Sequence, residues 1–262
     1  MDDAVSTASV APLGGRVVLV TGGGAGIGRA ICLACGAAGA AVVVAGPGDN
    51  AAETAELVRA GGGEAAFART DVSVAEEVAA AVHTAVGEFG GLDAVVHNAT
   101  SRRSSEVVAI EAIDDDEWDD HVAVSVRGAY HCARFALPHL RARQGRFVLM
   151  TSPAAMEGSV ALPAYAAVKG AVRGLAKSLA VEWGPLGVGV VCLSPLARTP
   201  ALDRAYDENP ELEQRLGRVV PLGRVGDPDT DIAPVVVFLL GEAARYVTGQ
   251  TIVVDGGRFT TL

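Results

Sequence analysis

Two side chains four residues apart carry the clearest chemistry in this sequence. Tyr165 and Lys169 belong to the stretch YAAVK, and on a helix this spacing places them on one face, about one turn apart. A tyrosine with an ordinary pKa near ~10 is a poor base at neutral pH, but a neighbouring ammonium group stabilises its phenolate. The pair therefore suits general acid–base catalysis, although the same spacing also occurs in pairs that only touch on a helix surface.

A glycine-rich stretch, TGGGAGIG, occupies residues 21–28 and follows the first run of β-branched residues. Gly22, Gly26 and Gly28 form the pattern G-x-x-x-G-x-G, which allows a tight turn and a close approach of the backbone to a pyrophosphate. No Lys-Ser/Thr pair follows, so this is not a Walker loop. In a chain with 32 glycines it could be only a tight turn. Its position between a predicted strand and a predicted helix favours phosphate binding.

Short β-branched runs alternate with alanine-rich segments of helical length. The predicted strands are Arg16–Thr21, Ala41–Ala45, Ala65–Thr70, Asp93–His97, Arg146–Thr151, Val188–Ser194 and Thr251–Val254. The predicted helices are Gly26–Ala38, Asn50–Ala60, Ala75–Phe89, Asp115–Arg143, Ala164–Trp183 and Asp229–Leu240. Continuous apolar runs indicate parallel strands buried on both faces. The pattern predicts an α/β fold with a doubly wound, seven-stranded parallel sheet, helices on both faces and a ligand site at the carboxyl ends of the strands.

Composition limits the possible partners and the compartment. The net charge is 21 − 31 = −10, which argues against a general nucleic-acid or anionic-membrane binder. Residues 30–48 carry no charge, but glycines and a proline interrupt them, so we expect a helix and a buried strand rather than a membrane span. The first residues lack the pattern of a secretion signal. We therefore expect a cytoplasmic protein with one domain over residues 13–262 and a flexible tail over residues 1–12.

Neither the cysteines nor the histidines form a site by their spacing. Cys32 and Cys35 form a C-x-x-C that falls inside a predicted helix rather than at its start, where a redox thiol would be activated. We expect core thiols instead. The five histidines lack the spacing to Asp, Glu or Cys that a metal site needs, so no metal is predicted, and we interpret them as core or surface residues.

Together these motifs resemble the short-chain dehydrogenase/reductase family. The resemblance covers the chain from about Leu13 onward and rests on T-G-x-x-x-G-x-G at residues 21–28 and Y-x-x-x-K at residues 165–169. Further family-like stretches occur in order along the chain. They are DVS at 71–73, NA at 98–99, WD at 118–119, TP at 199–200, VTGQ at 247–250 and VDGG at 254–257.

The resemblance implies a Rossmann-type fold and hydride transfer between a nicotinamide C4 and a carbonyl or secondary-alcohol carbon. Tyr165 would be the general acid/base, and Ser152, thirteen residues earlier, would polarise the substrate oxygen. Ser125 stands where the family has an asparagine that helps to hold the water of a proton relay. The resemblance also implies cofactor contacts at Gly22, Gly24, Ala25, Gly26, Ile27, Gly28, Asp71, Val72, Asn98, Ala99, Tyr165, Lys169, Pro195 and Thr199.

The chain departs from the family pattern at several positions. Ser125 has a shorter reach than asparagine and only one donor, so the relay could be rewired or slower. Thr100 replaces the glycine of N-A-G, and Leu196 replaces the glycine of P-G. We expect the first to alter a loop above the cofactor and the second to reshape the nicotinamide and substrate pocket.

The choice between the two dinucleotides depends on the end of the second predicted strand. Gly46 stands where relatives that prefer NAD have an acidic residue for the ribose 2′-hydroxyl. No Arg or Lys lies between Arg29 and Arg59, so a 2′-phosphate has no evident cationic partner. Asp49 could reach the ribose or could cap the next helix. The lack of positive charge favours NAD(H) over NADP(H).

Two functions follow from these observations. The first is an oxidoreductase acting on a small, largely apolar substrate beneath a lid over residues 196–224. The second is a dinucleotide-binding protein with lost or non-redox activity, which the departures motivate. The family implies a homo-oligomer, a tetramer or a dimer. The acidic composition disfavours an acyl-carrier-protein partner, although Arg141, Arg143 and Arg146 could form a basic patch for one.

Overall fold

A seven-stranded parallel sheet forms the centre of the molecule. The computed structural model describes residues 11–160 and 162–260, and in these ranges the strand order is β3-β2-β1-β4-β5-β6-β7. The strands are β1 Val17–Thr21, β2 Ala41–Gly46, β3 Glu64–Arg69, β4 Ala94–His97, β5 Arg146–Met150, β6 Gly189–Pro195 and β7 Thr251–Val254. Every paired strand is parallel to its neighbour. The predicted α/β fold is therefore confirmed.

Helices cover both faces of this sheet. They are α1 Gly26–Ala37, α2 Asp49–Ala60, α3 Ala75–Phe89, α4 Asp115–His121, α5 Gly128–Arg143, α6 Ala154–Glu157, α7 Pro163–Trp183, α8 Pro200–Glu208, α9 Glu211–Val219 and α10 Ala233–Leu240. Two π-helical segments, Val122–Arg127 and Pro228–Ile232, precede α5 and α10. The single helix predicted over residues 115–143 is therefore interrupted, and α10 begins later than predicted.

Because side chains alternate along each strand, they contribute to two separate apolar layers. Val18 and Val20 of β1 pack with α1, α2 and α10, whereas Val17 and Leu19 pack with α3, α5 and α7. All five residues of β1 are buried, because helices cover it on both sides. The continuous apolar runs in the sequence reflect this double burial.

The strand order reverses between β1 and β4, which lie side by side although two strands separate them in sequence. Thr21 and His97, the last residues of these strands, are register partners. A crevice at such a switch point, beyond the carboxyl ends of the strands, is where open α/β sheets bind ligands. The predicted site residues follow these strand ends.

Three expectations concern the ends of the chain, its thiols and its helices. The predicted flexible tail lies outside the described residues over positions 1–10, and Leu13, which follows it, is buried. All four cysteines are free and buried, and burial raises the pKa of Cys35 to about 12. Among the described residues, no helix is both long enough and apolar enough to cross a membrane.

Candidate active site

Tyr165 and Lys169 lie on the first turns of α7, directly beyond the end of β5. Lys169 is only 4% exposed, and its Nζ lies 5.7 Å from the centroid of the Tyr165 ring. The ammonium donates a hydrogen bond to the carbonyl of Met150 at 3.0 Å. Burial lowers the pKa of Lys169 to about 8. Because the lysine is buried, the pair is more than a contact on a helix surface.

Ser152 joins this pair from the loop after β5. Its Oγ accepts a hydrogen bond from the backbone N–H of Ala154 at 3.2 Å. Burial raises the pKa of Tyr165, and a hydrogen bond with Ser152 acts in the opposite direction. A second contact fixes the loop, because the Thr151 hydroxyl donates to the carbonyl of Lys169 at 3.0 Å. The structure thus brings Ser152, Tyr165 and Lys169 together.

Ser125 lies behind the pair, in the π-helical segment Val122–Arg127 that packs against α7. Its side chain is fully buried, and its Oγ has no hydrogen-bond partner among the described residues. The Ser125 carbonyl lies 3.2 Å from Nε2 of His97. The serine that replaces the family asparagine therefore contacts His97, the last residue of β4, through its backbone carbonyl.

His97 is the site residue that sequence reasoning missed. Its side chain is 2% exposed, and its Nδ1 lies 3.2 Å from Oγ1 of Thr21. Burial, together with the nearby Lys169 ammonium, lowers the pKa of His97 to about 3. One feature of the sequence could have indicated His97: it is the last residue of a predicted strand, and we expected the ligand site at the ends of the strands. Its interpretation as a core residue is correct, but the neighbours that it joins were not foreseen.

The glycine-rich stretch forms an open turn at the start of α1. Gly22 and Gly26 have φ of +65° and +51°, conformations that glycine tolerates best. A Cβ on Gly28 would overlap the carbonyl oxygen of Gly22. Ala25, the N-cap residue of α1, contributes no side-chain hydrogen bond, so the first N–H groups of the helix lack a side-chain cap. These features fit a pyrophosphate of a dinucleotide.

Asn98 and Ala99 brace this turn. Their backbone N–H groups both donate to Oγ1 of Thr21 at 3.1 Å. The Asn98 side chain donates to the carbonyl of Gly22, also at 3.1 Å. The two residues therefore fix the geometry of the turn, and their predicted contact with a cofactor stays a prediction.

The remaining predicted cofactor residues surround the same edge of the sheet. Asp71 is exposed after β3, and its carboxylate accepts hydrogen bonds from the N–H and the hydroxyl of Ser73. Val72 is buried, and its carbonyl lies 3.0 Å from Nδ1 of His131. Pro195 ends β6, and Thr199 caps α8 by accepting from the N–H of Leu202 at 3.2 Å. The Thr199 side chain also borders Gly26.

The region around Gly46 differs from the sequence-based expectation. Arg69, the register partner of Gly46 on β3, donates to the carbonyl of Pro47 and pairs with Asp49 at 2.6 Å. The sequence between Arg29 and Arg59 offers a 2′-phosphate no cationic partner, but Arg69 lies near Gly46 in space because β3 pairs with β2. Asp49 is the first residue of α2 rather than its cap, a position that Gly48 occupies.

A second arginine reaches the glycine-rich turn from α1. Arg29 donates to the carbonyl of Gly24 at 2.7 Å and to Oγ1 of Thr54 at 3.0 Å. It also lies 3.6 Å from the carboxylate of Glu53. Both arginines at this end of the crevice therefore already have protein partners.

The basic patch considered for an acidic partner is incomplete. Arg146 is 5% exposed, and its guanidinium donates to four backbone carbonyls of the segment after β6. These carbonyls belong to Leu239, Ala244, Arg245 and Val247. Arg143 donates to the carbonyl of Gly90. Arg146 is therefore a structural residue, because its charge is not presented at the surface.

A small cavity opens beside Tyr165, between the loop after β4 and the start of α7. Besides Tyr165, its lining combines apolar side chains with three titratable ones, namely Glu106 and the buried Glu117 and His121. The apolar members are Val108, Ile113, Leu162, Pro163 and Ala164. Arg103 lies 3.4 Å from the Glu117 carboxylate. The surroundings of Tyr165 on this side are therefore mostly apolar.

Helices α8 and α9 occupy the segment predicted to be a lid. Arg198 links them, since it pairs with Asp203 of α8 at 2.5 Å and with Glu213 of α9 at 3.5 Å. The same guanidinium lies over the ring of Tyr206, which is buried. Among the described residues, the Tyr206 hydroxyl has no hydrogen-bond partner.

The chain is similar to known oxidoreductases over nearly its whole length. A family model described as enoyl-(acyl carrier protein) reductase matches residues 22–258. A 2,5-dichloro-2,5-cyclohexadiene-1,4-diol dehydrogenase of Sphingobium indicum is 36% identical over 253 residues, which are 95% of this chain and 99% of the relative. A 3-oxoacyl-[acyl-carrier-protein] reductase of Staphylococcus aureus is 35% identical over 247 residues, covering 93% of this chain and 98% of the relative.

A solved structure extends this similarity to three dimensions. It is a 7α-hydroxysteroid dehydrogenase in complex with NADH and 7-oxo glycochenodeoxycholic acid. The two chains superpose with a TM-score of 0.88 at 29% identity, over 95% of this chain and 96% of the other.

Proposed function

The chain belongs to the short-chain dehydrogenase/reductase family, and on that premise we propose that Tyr165 is the general acid/base of its reaction. The protein is an oxidoreductase that uses a nicotinamide dinucleotide. A nicotinamide dinucleotide bound in the crevice would supply hydride-transfer chemistry at the carbon that bears the substrate oxygen. The observation that carries the proposal is the buried Lys169 ammonium beside the Tyr165 ring, with Ser152 near enough to the same tyrosine to lower its pKa.

Each of the three side chains has a distinct proposed role. In the reducing direction Tyr165 Oη gives its proton to the substrate oxygen, and in the oxidising direction it takes that proton. The Ser152 hydroxyl donates a hydrogen bond to the same oxygen and stabilises the charge that develops there. The Lys169 ammonium stabilises the phenolate form of Tyr165. Ser125 is proposed to lie on the path by which the proton leaves this group.

The proposed dinucleotide site is the crevice between the glycine-rich turn and the ends of β2, β3, β4 and β6. The uncapped start of α1 and Thr199 would hold the phosphates, and Lys169 would hold ribose hydroxyls with the donors that Met150 leaves free. We propose a preference for NAD(H), because Arg29 and Arg69 already have carboxylate and carbonyl partners.

The proposed substrate is small and largely apolar. The cavity beside Tyr165 is lined mainly by apolar side chains. Three further exposed apolar side chains lie in the segments that flank it in the sequence, namely Val107, Ile110 and Val160. An apolar substrate would cover such surface and gain free energy from its removal from water.

Two further proposals concern the state of the protein in the cell. We propose a cytoplasmic location, supported by four free and buried cysteines. We also propose a homo-oligomer, a dimer or a tetramer, as the family resemblance implies. Sedimentation velocity would measure its mass, and a purely monomeric species at micromolar concentration would contradict the oligomer.

Replacement of the tyrosine hydroxyl tests the proposed function. Tyr165→Phe removes the proton donor, so we expect turnover to fall by about 1000-fold while the affinity for the dinucleotide changes by less than about threefold. Turnover is measured as the change in NAD(P)H absorbance with panels of ketones and secondary alcohols. Tyr246→Phe is the matched control, because Tyr246 is 99% exposed.

The same assay separates the enzyme from the alternative function. If Tyr165→Phe keeps the turnover of the parent protein, the acid/base assignment is wrong. If the parent binds a dinucleotide but is inert on every panel, the alternative of a dinucleotide-binding protein without redox activity is favoured. The observation that favours this alternative is the buried Ser125 hydroxyl, which has no hydrogen-bond partner within residues 11–160 and 162–260.

A further inference from the structure

The end of β2 is packed too closely for an acidic side chain that would meet a ribose there. A Cβ on Gly46, the last residue of β2, would lie only 3.0 Å from Cβ of Ala51 on α2. Asp49, the next carboxylate along the chain, pairs with Arg69 instead. A ribose hydroxyl at this end of the crevice therefore needs a different polar partner.

The side chain of Asn50 lies between the glycine-rich turn and the loop after β2. A Cβ on Gly24 would lie 2.6 Å from both Cγ and Nδ2 of Asn50, and a Cβ on Gly48 would lie 2.8 Å from its Oδ1. The carboxamide therefore lies against both glycines, in space that a side chain at either position would take. Asn50 is exposed, so its carboxamide is accessible to a bound molecule.

The backbone of Asn50 is tied to the same turn through Arg29 on α1. The guanidinium donates to the carbonyl of Gly24 at 2.7 Å and to the carbonyl of Asn50 at 3.4 Å. It also donates to Oγ1 of the fully buried Thr54 at 3.0 Å, and the Thr54 hydroxyl donates to the Asn50 carbonyl at 2.9 Å. These contacts fix the start of α2 next to the turn.

We propose that the Asn50 carboxamide binds the 2′-hydroxyl of the adenosine ribose, in place of the acidic residue that Gly46 replaces. The proposal rests on the dinucleotide site proposed above. In this type of fold the pyrophosphate lies on the glycine-rich turn, and the ribose 2′-hydroxyl meets a residue near the end of the second strand. The carboxamide lies between these two places, and it both donates to and accepts from a hydroxyl.

An uncharged partner divides the recognition of the ribose between two neighbouring residues. A carboxylate would bind the hydroxyl and also repel a 2′-phosphate, whereas a carboxamide only does the first. Asn50 therefore contributes to the affinity for NAD(H), and the exclusion of NADP(H) depends on the pairing of Asp49 with Arg69.

Removing the hydroxyl from the ligand and the carboxamide from the protein tests this contact. We expect the parent to bind NAD⁺ about tenfold more tightly than the analogue that lacks the 2′-hydroxyl of the adenosine ribose. Asn50→Ala should bind NAD⁺ about tenfold more weakly than the parent, while its affinity for the analogue changes by less than about twofold. Glu56→Ala, at an exposed side chain further along α2, is the control and should discriminate like the parent. Calorimetric titration measures all these affinities without turnover.

A second substitution moves the carboxamide without removing it. Gly24 is outside the positive-φ region, so alanine needs no strained backbone there, but its Cβ would displace the Asn50 side chain. Gly24→Ala should therefore weaken NAD⁺ binding about tenfold in the parent. In the Asn50→Ala background the same change should cost less than about twofold.

The proposal is overturned if the parent binds NAD⁺ and the 2′-deoxy analogue equally, or if Asn50→Ala still discriminates between them. An equal cost of Gly24→Ala in both backgrounds would also contradict it, because the methyl group would then act without the carboxamide. A parent that binds neither NAD⁺ nor NADP⁺ refutes the proposed dinucleotide site and this contact together, whereas binding without discrimination refutes the contact alone. A failure of the Tyr165→Phe test leaves these binding measurements unaffected.

Discussion

At the scale of single residues, the burial of the Lys169 ammonium has an energetic cost, for which its proposed function gives a reason. A charged group at 4% exposure with a single backbone acceptor is poorly solvated, and its lowered pKa records that cost. The proposed mechanism needs the charge next to Tyr165, whereas stability alone would favour an apolar side chain at this position. The two requirements therefore oppose each other at Lys169.

This opposition leads to a prediction about stability. Lys169→Met should raise the free energy of unfolding by about 1–3 kcal/mol at pH 7 while abolishing turnover, because it removes a buried charge. Lys177→Met is the matched control, since Lys177 is exposed on the same helix. Urea denaturation of the two variants and the parent gives the comparison, and a Lys169→Met variant less stable than its parent would contradict the argument.

The pH dependence of the parent protein's free energy of unfolding tests the same argument independently. The pKa of Lys169 is about 8 when folded and near its ordinary 10.5 when unfolded. Between these values the unfolded chain binds more protons, so this group makes stability rise with pH from about 8 to about 10.5. The stability difference between Lys169→Met and the parent should therefore shrink across that window, as measured by denaturation at several pH values. A difference that stays constant would exclude the lowered pKa.

The residues that the sequence could predict are those in a local pattern. Tyr165 and Lys169 are one helical turn apart, and the family resemblance added Ser152, which follows a predicted strand thirteen residues before Tyr165. His97, Ser125 and Thr21 meet only because β1, β4 and the π-helical segment meet in space. No spacing rule connects residues 21, 97 and 125, and the sequence therefore gave no reason to interpret His97 as more than a core or surface residue.

At the scale of elements, the structure differs most from expectation where one helix was predicted over residues 115–143. The apolar pattern continues through this region, but the segment Val122–Arg127 takes the wider π-helical turn. Such turns shift backbone carbonyls away from their regular partners, and here the Ser125 carbonyl faces His97. Periodicity does not reveal this contact, because its partner is a side chain on β4, far away in the sequence.

Arg146 gives the second prediction at this scale. Its guanidinium satisfies four carbonyls around the end of α10 and the turn that follows. Removing it leaves buried acceptors without partners, so Arg146→Met should lower the free energy of unfolding by about 3 kcal/mol. Arg141→Met, at an exposed position of α5, is the control and should change stability by less than about 0.5 kcal/mol. Equal effects of the two substitutions in urea denaturation would show that the four contacts contribute nothing.

At the scale of the whole molecule, the sequence could predict the number of strands and their parallel arrangement. The cause is simple, since helices on both faces force continuous apolar runs. The strand order was not predictable from the residues of each strand, because it depends on the direction along the sheet in which each crossover places the next strand. That order puts Arg69 beside Gly46, and so a cation reaches a place where the local sequence has none.

The preference between the dinucleotides depends on this juxtaposition and is open to a direct test. In the structure Asp49 pairs with Arg69 and neutralises its charge. The net charge of −10 further disfavours binding of the extra phosphate of NADPH. Asp49→Asn should free Arg69, so we expect NADPH to bind about tenfold more tightly while NADH changes by less than about twofold. Glu56→Gln, which removes the carboxylate that pairs with Arg59 on the same helix, controls for the change in net charge. Fluorescence titrations with both dinucleotides measure the effect. An equal gain in both variants would mean that the overall charge acts alone, whereas a parent that already binds NADPH more tightly would refute the NAD(H) preference itself.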